Sequence, residues 1–323
     1  MLRRVTLIIV LAVAAILSHT ACAQQPSVQR IGFLGLTPAP SETRSSLIEV
    51  LRKALANLGY AEDRNIIIES RWPEGNQLDR LPETAAALVS LKLDVIVAVG
   101  ATAARAAQGA TTDIPIVFAV SVDPVAFGWR PGGNVTGFTS LDQQQARKQL
   151  EILKELIPGL ARVALLGDAG AAPTLFHENE DAARTLGLQT QTLKVVRVPN
   201  PDFEGAFEAA KKEGAGAVVV INSPVTTPNR TRIAELAAKH RLPTLSPSDH
   251  ADAGGLISYG TGFPELIQRA ATSVDKVLRG AKPGDLPVET VTQHQFIINL
   301  KTAREIGVTF PPAMLSNASQ VIR

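Results

Sequence analysis

The chain has 323 residues, enough for two α/β lobes at roughly 100–200 residues per domain. Hydrophobic residues at 45% and charged residues at 19% exclude a disordered chain, and aromatics at 4% leave the core to Ala, Val, Leu and Ile. A formal net charge of +2, with Lys and Arg spread along the sequence, offers no clustered basic face of the kind nucleic acid requires.

Arg3 and Arg4 precede an apolar run from Leu7 to Leu17, and Ala21-Cys22-Ala23 follows. A basic start, a short apolar stretch and small residues at A-x-A spacing describe a secretory signal peptide, residues 1–23, cleaved after Ala23. The run is shorter than the about 20 residues a membrane span needs. Lipoprotein processing at Cys22 is the alternative, but it favours Leu three residues earlier, where His19 stands. Cys22 is the single cysteine, so the mature chain would lack any disulfide, cysteine nucleophile or thiolate metal site. A periplasmic protein is expected.

Short β-rich runs then alternate with helical patterns. Arg30 to Gly35 reads as the first strand; Leu47, Val50, Leu51, Ala54, Leu55 and Leu58 follow at helical spacing, stopped by Gly59. Asn65 to Glu69 is the second strand, and Leu78, Leu81, Ala85, Leu88 and Val89 mark another helix. Asp94 to Gly100 is apolar almost throughout, as in a parallel strand buried on both faces. An Ala-rich helix from Ala101, strands at Ile114–Val120 and Asn134–Thr139, and a polar-faced helix from Asp142 to Ile157 complete a first series. A second series has strands at Val163–Gly167, Gln189–Val195, Ala217–Asn222, Pro243–Leu245 and Gly255–Tyr259. After a helix from Pro264 to Gly280, Phe296 to Leu300 reads as one more strand. Alternation of this kind implies βαβ units. About ten strands exceed a usual sheet, so two parallel sheets are expected. The predicted division is 28–139 plus 261–287 for one lobe and 140–260 plus 288–323 for the other.

Several segments occur in a recognisable order: Leu58-Gly59-Tyr60-Ala61-Glu62-Asp63-Arg64-Asn65-Ile66, Arg71-Trp72-Pro73-Glu74-Gly75, Ile114-Pro115-Ile116-Val117-Phe118-Ala119, Asp123-Pro124, Arg130-Pro131-Gly132-Gly133-Asn134-Val135-Thr136-Gly137, Gly254-Gly255-Leu256-Ile257-Ser258-Tyr259-Gly260 and Ile298-Asn299-Leu300-Lys301-Thr302-Ala303. This succession resembles the ABC-transporter substrate-binding family that includes tryptophan/tyrosine-type binding components, over nearly the whole mature chain. The resemblance implies a type I periplasmic-binding-protein fold: two Rossmann-like lobes with parallel sheets, three crossovers forming a hinge, and a ligand cleft between the lobes. The family usually carries a longer segment where only Val125 to Trp129 stands here.

Ligands of α/β sheets bind beyond the carboxyl ends of strands. That rule selects Thr37, Gly100, Ala101, Thr102, Ser121 and Asp123 in the first series, and Asp168, Asn222, Ser223, Ser246 and Tyr259 in the second. Gly100-Ala101-Thr102 opens a helix whose unpaired N–H groups and positive potential suit a carboxylate. Thr102 either donates to that carboxylate or caps its own helix. Asp123 and Asp168 either receive an ammonium or form turns. Tyr259 and Trp129 either stack on a ring or pack locally.

No G-x-S-x-G, P-loop or post-strand G-x-G-x-x-G occurs. His177, His240, His250 and His294 lack metal-type spacing and read as surface residues. No cofactor or metal is called for, and no catalytic group is expected. The expected function is the extracytoplasmic solute-binding component of an ABC importer: a monomer that takes a small amino-acid-like molecule, docks on an ABC permease and binds no nucleic acid. The alternatives are an exported α/β enzyme and a ligand-sensing module of the same fold.

Overall fold

A strand with helices on both sides must be apolar at every position, because successive side chains point to opposite faces. The run from Val95 to Val99 meets that condition and is buried along its whole length. It forms the third strand of a computed structural model that describes residues 28–323 other than 36–40, 74–77, 121–132, 141–142, 171–172, 197–199, 224 and 248–249.

The first sheet is built from β1 (Gln29–Leu34), β2 (Ile66–Arg71), β3 (Val95–Val99), β4 (Ile116–Val120), β5 (Val135–Thr139) and β11 (Glu289–Thr290), in the order β11-β5-β4-β3-β1-β2. All its pairings are parallel. One face, carrying Phe33, Val95, Val97, Val117 and Phe138, packs on α1 (Ser41–Ala56) and on α8 (Phe263–Leu278). The other, carrying Leu34, Ile96, Ala98, Ile116 and Phe118, packs on α2 (Leu81–Val89) and α3 (Ala101–Ala110).

The second sheet contains β6 (Arg162–Asp168), β7 (Gln189–Val195), β8 (Ala217–Val220), β9 (Thr244–Ser246), β10 (Ile257–Gly260), β12 (Gln295–Asn299) and β13 (Gln320–Ile322), in the order β13-β12-β10-β9-β8-β6-β7. On one face Val163, Leu165, Val219 and Leu245 meet α4 (Gln143–Leu156), α5 (Pro173–Thr185), α9 (Leu300–Ile306) and α10 (Pro312–Asn317). On the other, Ala164, Leu166, Val218 and Val220 meet α6 (Phe203–Lys212) and α7 (Arg230–His240).

The second sheet departs from the expected all-parallel form. β12 runs antiparallel to β10. A parallel neighbour would need a crossover back to the same end of the sheet. Here the chain leaves β10 for the first sheet and returns at the end where β10 stopped, so the next strand must run the other way.

Three segments pass between the sheets: at Thr139–Ser140, at Thr261, and after β11. They are bonded to one another. Thr261 Oγ1 donates to the carbonyls of Val291 (3.2 Å) and Gln293 (3.1 Å), and Val291 N–H donates to Thr139 O (2.8 Å). Because Glu289–Thr290 still pairs with β5, the third passage follows Thr290 and not Pro287.

Candidate functional site

The carboxyl ends of β3, β4 and β5 in one sheet, and of β6, β8, β9 and β10 in the other, lie on the side where the chain crosses. In the first sheet the central feature is Gly100. It holds φ 90°, a left-handed conformation suited to glycine, and it is the N-cap of α3. Its N–H donates to Ala119 O at 2.8 Å, which ties the turn to the neighbouring strand. The N–H groups of the next residues begin the helix and have no partner within it. Thr102 is the second residue of the helix, not its cap. It is half-buried, and its hydroxyl makes no hydrogen bond among the described residues. Thr37, Ser121, Asp123 and Trp129 lie outside the described residues.

The second sheet spends its polar groups at once. Asp168 ends β6, is buried, and accepts the Gly170 N–H on Oδ1 at 2.8 Å, closing a turn. Thr226 Oγ1 donates to Ile221 O (2.6 Å) and accepts the Ser223 N–H (2.9 Å). With the Thr226 proton committed, the Ser223 hydroxyl donates to Thr226 and accepts from the N–H groups of Val225 (3.2 Å) and Thr226 (3.1 Å). Ser223, expected to face a ligand, is thus saturated by its own turn. Ser246 is buried at the end of β9 and donates to Asn222 Oδ1 at 3.1 Å. The Tyr259 ring packs against His294 (5.2 Å) and Phe296 (6.1 Å) and lines an outer hollow beside Arg147 and Glu151, apart from Asn222.

A cavity of about 60 Å³ opens between α4, α5 and the end of β8. Of the residues expected from sequence, Asn222 alone lines it. Ser140, Gln145, Gln149, Glu178 and Asn179 line it as well, and sequence reasoning missed all of them. The signal was present: Asn179 interrupts the buried stripe Phe176–Ala183 of α5, and Gln145 and Gln149 lie one turn apart beside Ala146 and Leu150. Gln149 Nε2 donates to Tyr259 O at 2.8 Å. The side-chain oxygens of Gln145 and Asn179 are buried and have no hydrogen-bond partner among the described residues. Gly260 makes room here, since a Cβ would sit 3.0 Å from Gln145 Oε1 and 2.6 Å from Pro247 O.

His250 corrects the surface reading of the histidines. It is 1% exposed, and its Nε2 lies 2.8 Å from Thr244 Oγ1. Gly255 leaves space for the ring, since a Cβ there would sit 2.1 Å from it. Burial pushes its pKa down to about 4, so it is neutral at pH 7. Among the described residues no three His, Cys, Asp or Glu are grouped to hold a metal, and no helix is long and apolar enough to cross a membrane.

Comparison with known proteins agrees with this architecture. A tyrosine-binding protein of Clostridioides difficile is 25% identical over 289 residues, covering 87% of this chain and 81% of its own. An ABC domain from Streptococcus pneumoniae in complex with L-Trp superposes with a TM-score of 0.81 at 26% identity, over 92% of this chain and 100% of that one. A conserved domain protein from Vibrio cholerae superposes with a TM-score of 0.82 at 22% identity, over 91% and 100%. These share the two-lobed type I periplasmic-binding-protein fold. Residues 39–322 match the family described as ABC transporter substrate binding protein, and the chain belongs to that family.

Proposed function

We propose that the protein is the extracytoplasmic solute-binding component of an ABC importer, and that it closes its two lobes on a small amino-acid-like ligand. The observation that carries the ligand class is the start of α3. Gly100 presents the first-turn N–H groups at the end of β3, and the Thr102 hydroxyl makes no hydrogen bond among the described residues. That is an anion site suited to a carboxylate. The names of two relatives, one for tyrosine binding and one solved with L-Trp, support an amino acid as its bearer.

Transport needs no catalysis. Tighter binding to the closed state drives closure about the crossing strands, and a permease reads the closed shape. We further read the chain as an exported monomer, cleaved after Ala23, with no nucleic-acid partner. Its lobes divide near 28–139 plus 261–290 and 140–260 plus 291–323. A thermal-shift screen of the mature protein against the L-amino acids tests the ligand class. Ligand at a hundredfold excess over Kd adds about 2.7 kcal/mol to stability. A flat screen across amino acids, with a response to sugars or purines, would replace the reading. Mass spectrometry of the exported protein should show Gln24 as its first residue; a lipidated Cys22 would overturn cleavage after Ala23.

A further inference from the structure

We infer that the cavity between α4 and α5 is the subsite for the ligand's protonated amine, an inference that rests on the amino-acid reading above. Asn179 is 9% exposed and is one of the residues lining this cavity, and its buried Oδ1 has no partner among the described residues. Its Nδ2 donates to Leu175 O at 2.9 Å, so exchanging the amide's oxygen and nitrogen would set two carbonyl oxygens against each other. The outward group is therefore an acceptor. Gln145 adds a second buried, unpaired oxygen to the same cavity.

Ser140 and Glu178 bring a hydroxyl and a carboxyl group to the lining, and none of the lining residues is Lys, Arg or His. A lining with a carboxyl group and no cationic side chain disfavours anions. An ammonium supplies three donors and a positive charge, which strengthens each bond it makes. The volume of about 60 Å³ suits a head group of a few atoms. Asp168, the other acid at this sheet's strand ends, already receives the Gly170 N–H, whereas the buried oxygens of Asn179 and Gln145 are unpaired among the described residues.

Asn179→Leu and Gln145→Met remove the oxygens at nearly constant shape. Calorimetric titrations would use L-tyrosine and L-tryptophan together with 3-(4-hydroxyphenyl)propionate and indole-3-propionate, which keep ring and carboxylate but lack the amine. In the wild type the amine-bearing compound should bind at least about tenfold more tightly than its partner, as expected for a hydrogen bond to a charged group. In either variant that preference should shrink below about threefold. Equal binding of the pair by the wild type, or an undiminished preference in both variants, overturns the subsite.

If none of the four binds, the amino-acid reading fails, and urea melts of the unliganded protein decide the cavity separately. An acceptor held open for a ligand predicts that Asn179→Leu leaves the midpoint unchanged or raises it. A lowered midpoint would show that Oδ1 serves the unliganded fold, and the subsite would be discarded.

Discussion

Both sheets end their strands in polar residues, but they use them differently. At the end of β3 the turn is made by the Gly100 backbone, and the Thr102 hydroxyl makes no hydrogen bond among the described residues. At the ends of β6, β8 and β9 the side chains make the turns, so Asp168, Ser223 and Ser246 are each engaged within their own sheet. The contrast extends inward. The first sheet buries Thr136 and Thr139 on β5, whereas the second buries a connected polar group: Thr244 of β9, Ser258 of β10 and Asn299 of β12, with His250 and Thr302. A polar residue at a strand end is therefore a ligand candidate only after its local hydrogen bonds have been counted.

The largest test of that contrast is Thr226→Val. It leaves the Ile221 carbonyl and the Ser223 N–H unpaired in a buried turn, at about 2 kcal/mol each, so a denaturant melt should show a loss of about 4 kcal/mol. A loss under about 1 kcal/mol would mean that the turn does not depend on this hydroxyl.

Acid should expose the buried polar seam next. The folded-state pKa of His250, about 4, lies below the ordinary 6.5, so the unfolded chain takes the proton first. Its contribution is complete above pH 6.5 and fades as pH falls from 6.5 to 4, by about 3 kcal/mol at about 1.4 kcal/mol per unit. Melts at pH 7.5 and 4.5 measure this, with His250→Gln supplying the background from other groups. Equal slopes in the two proteins would contradict the burial of a neutral imidazole.

Thr102→Val reverses the pattern. Affinity for an amino acid should fall about ten- to a hundredfold, equivalent to roughly 1.5–3 kcal/mol, while stability moves by less than about 0.5 kcal/mol. Because Gly100 is the N-cap, a stability loss without an affinity loss would return Thr102 to a structural role. The smallest effect is expected at Asp168. Asp168→Ala removes one turn hydrogen bond and should cost about 1 kcal/mol in the same melt, with affinity retained. A large affinity loss there would make Asp168, and not the cavity beside Asn179, the amine's partner.

Most elements were legible because their burial is regular. The run at Val95–Val99 and the helical stripe of Leu266, Ala270 and Val274 leave one way to be covered. β11 and β13 escaped because they are two and three residues long and end a sheet, where no apolar run marks them. The antiparallel β12 escaped because strand direction follows from the route of the chain, which periodicity does not record. The glycine turn at Gly100 and the helix start after it were legible from the strand–glycine–helix order. The turn that engages Ser223 was not legible, because its partner, Thr226, becomes visible only once the turn is closed. Asn179 and Gln145 were overlooked because the search followed strand ends and ignored polar breaks in helix stripes.

The path of α8 has a consequence for how the protein is made. This helix covers β3, β4 and β5 and packs on α1, yet it is encoded more than a hundred residues after β5. During synthesis the strands of the first lobe emerge long before the helix that shields one of their faces, and β12 and β13 complete the second sheet later still. Neither half of the chain is a self-sufficient folding unit, so cutting it at residue 140 would leave the amino-terminal fragment with a bare apolar wall prone to aggregation. The first lobe is therefore complete only once the segment that carries α8 has been made.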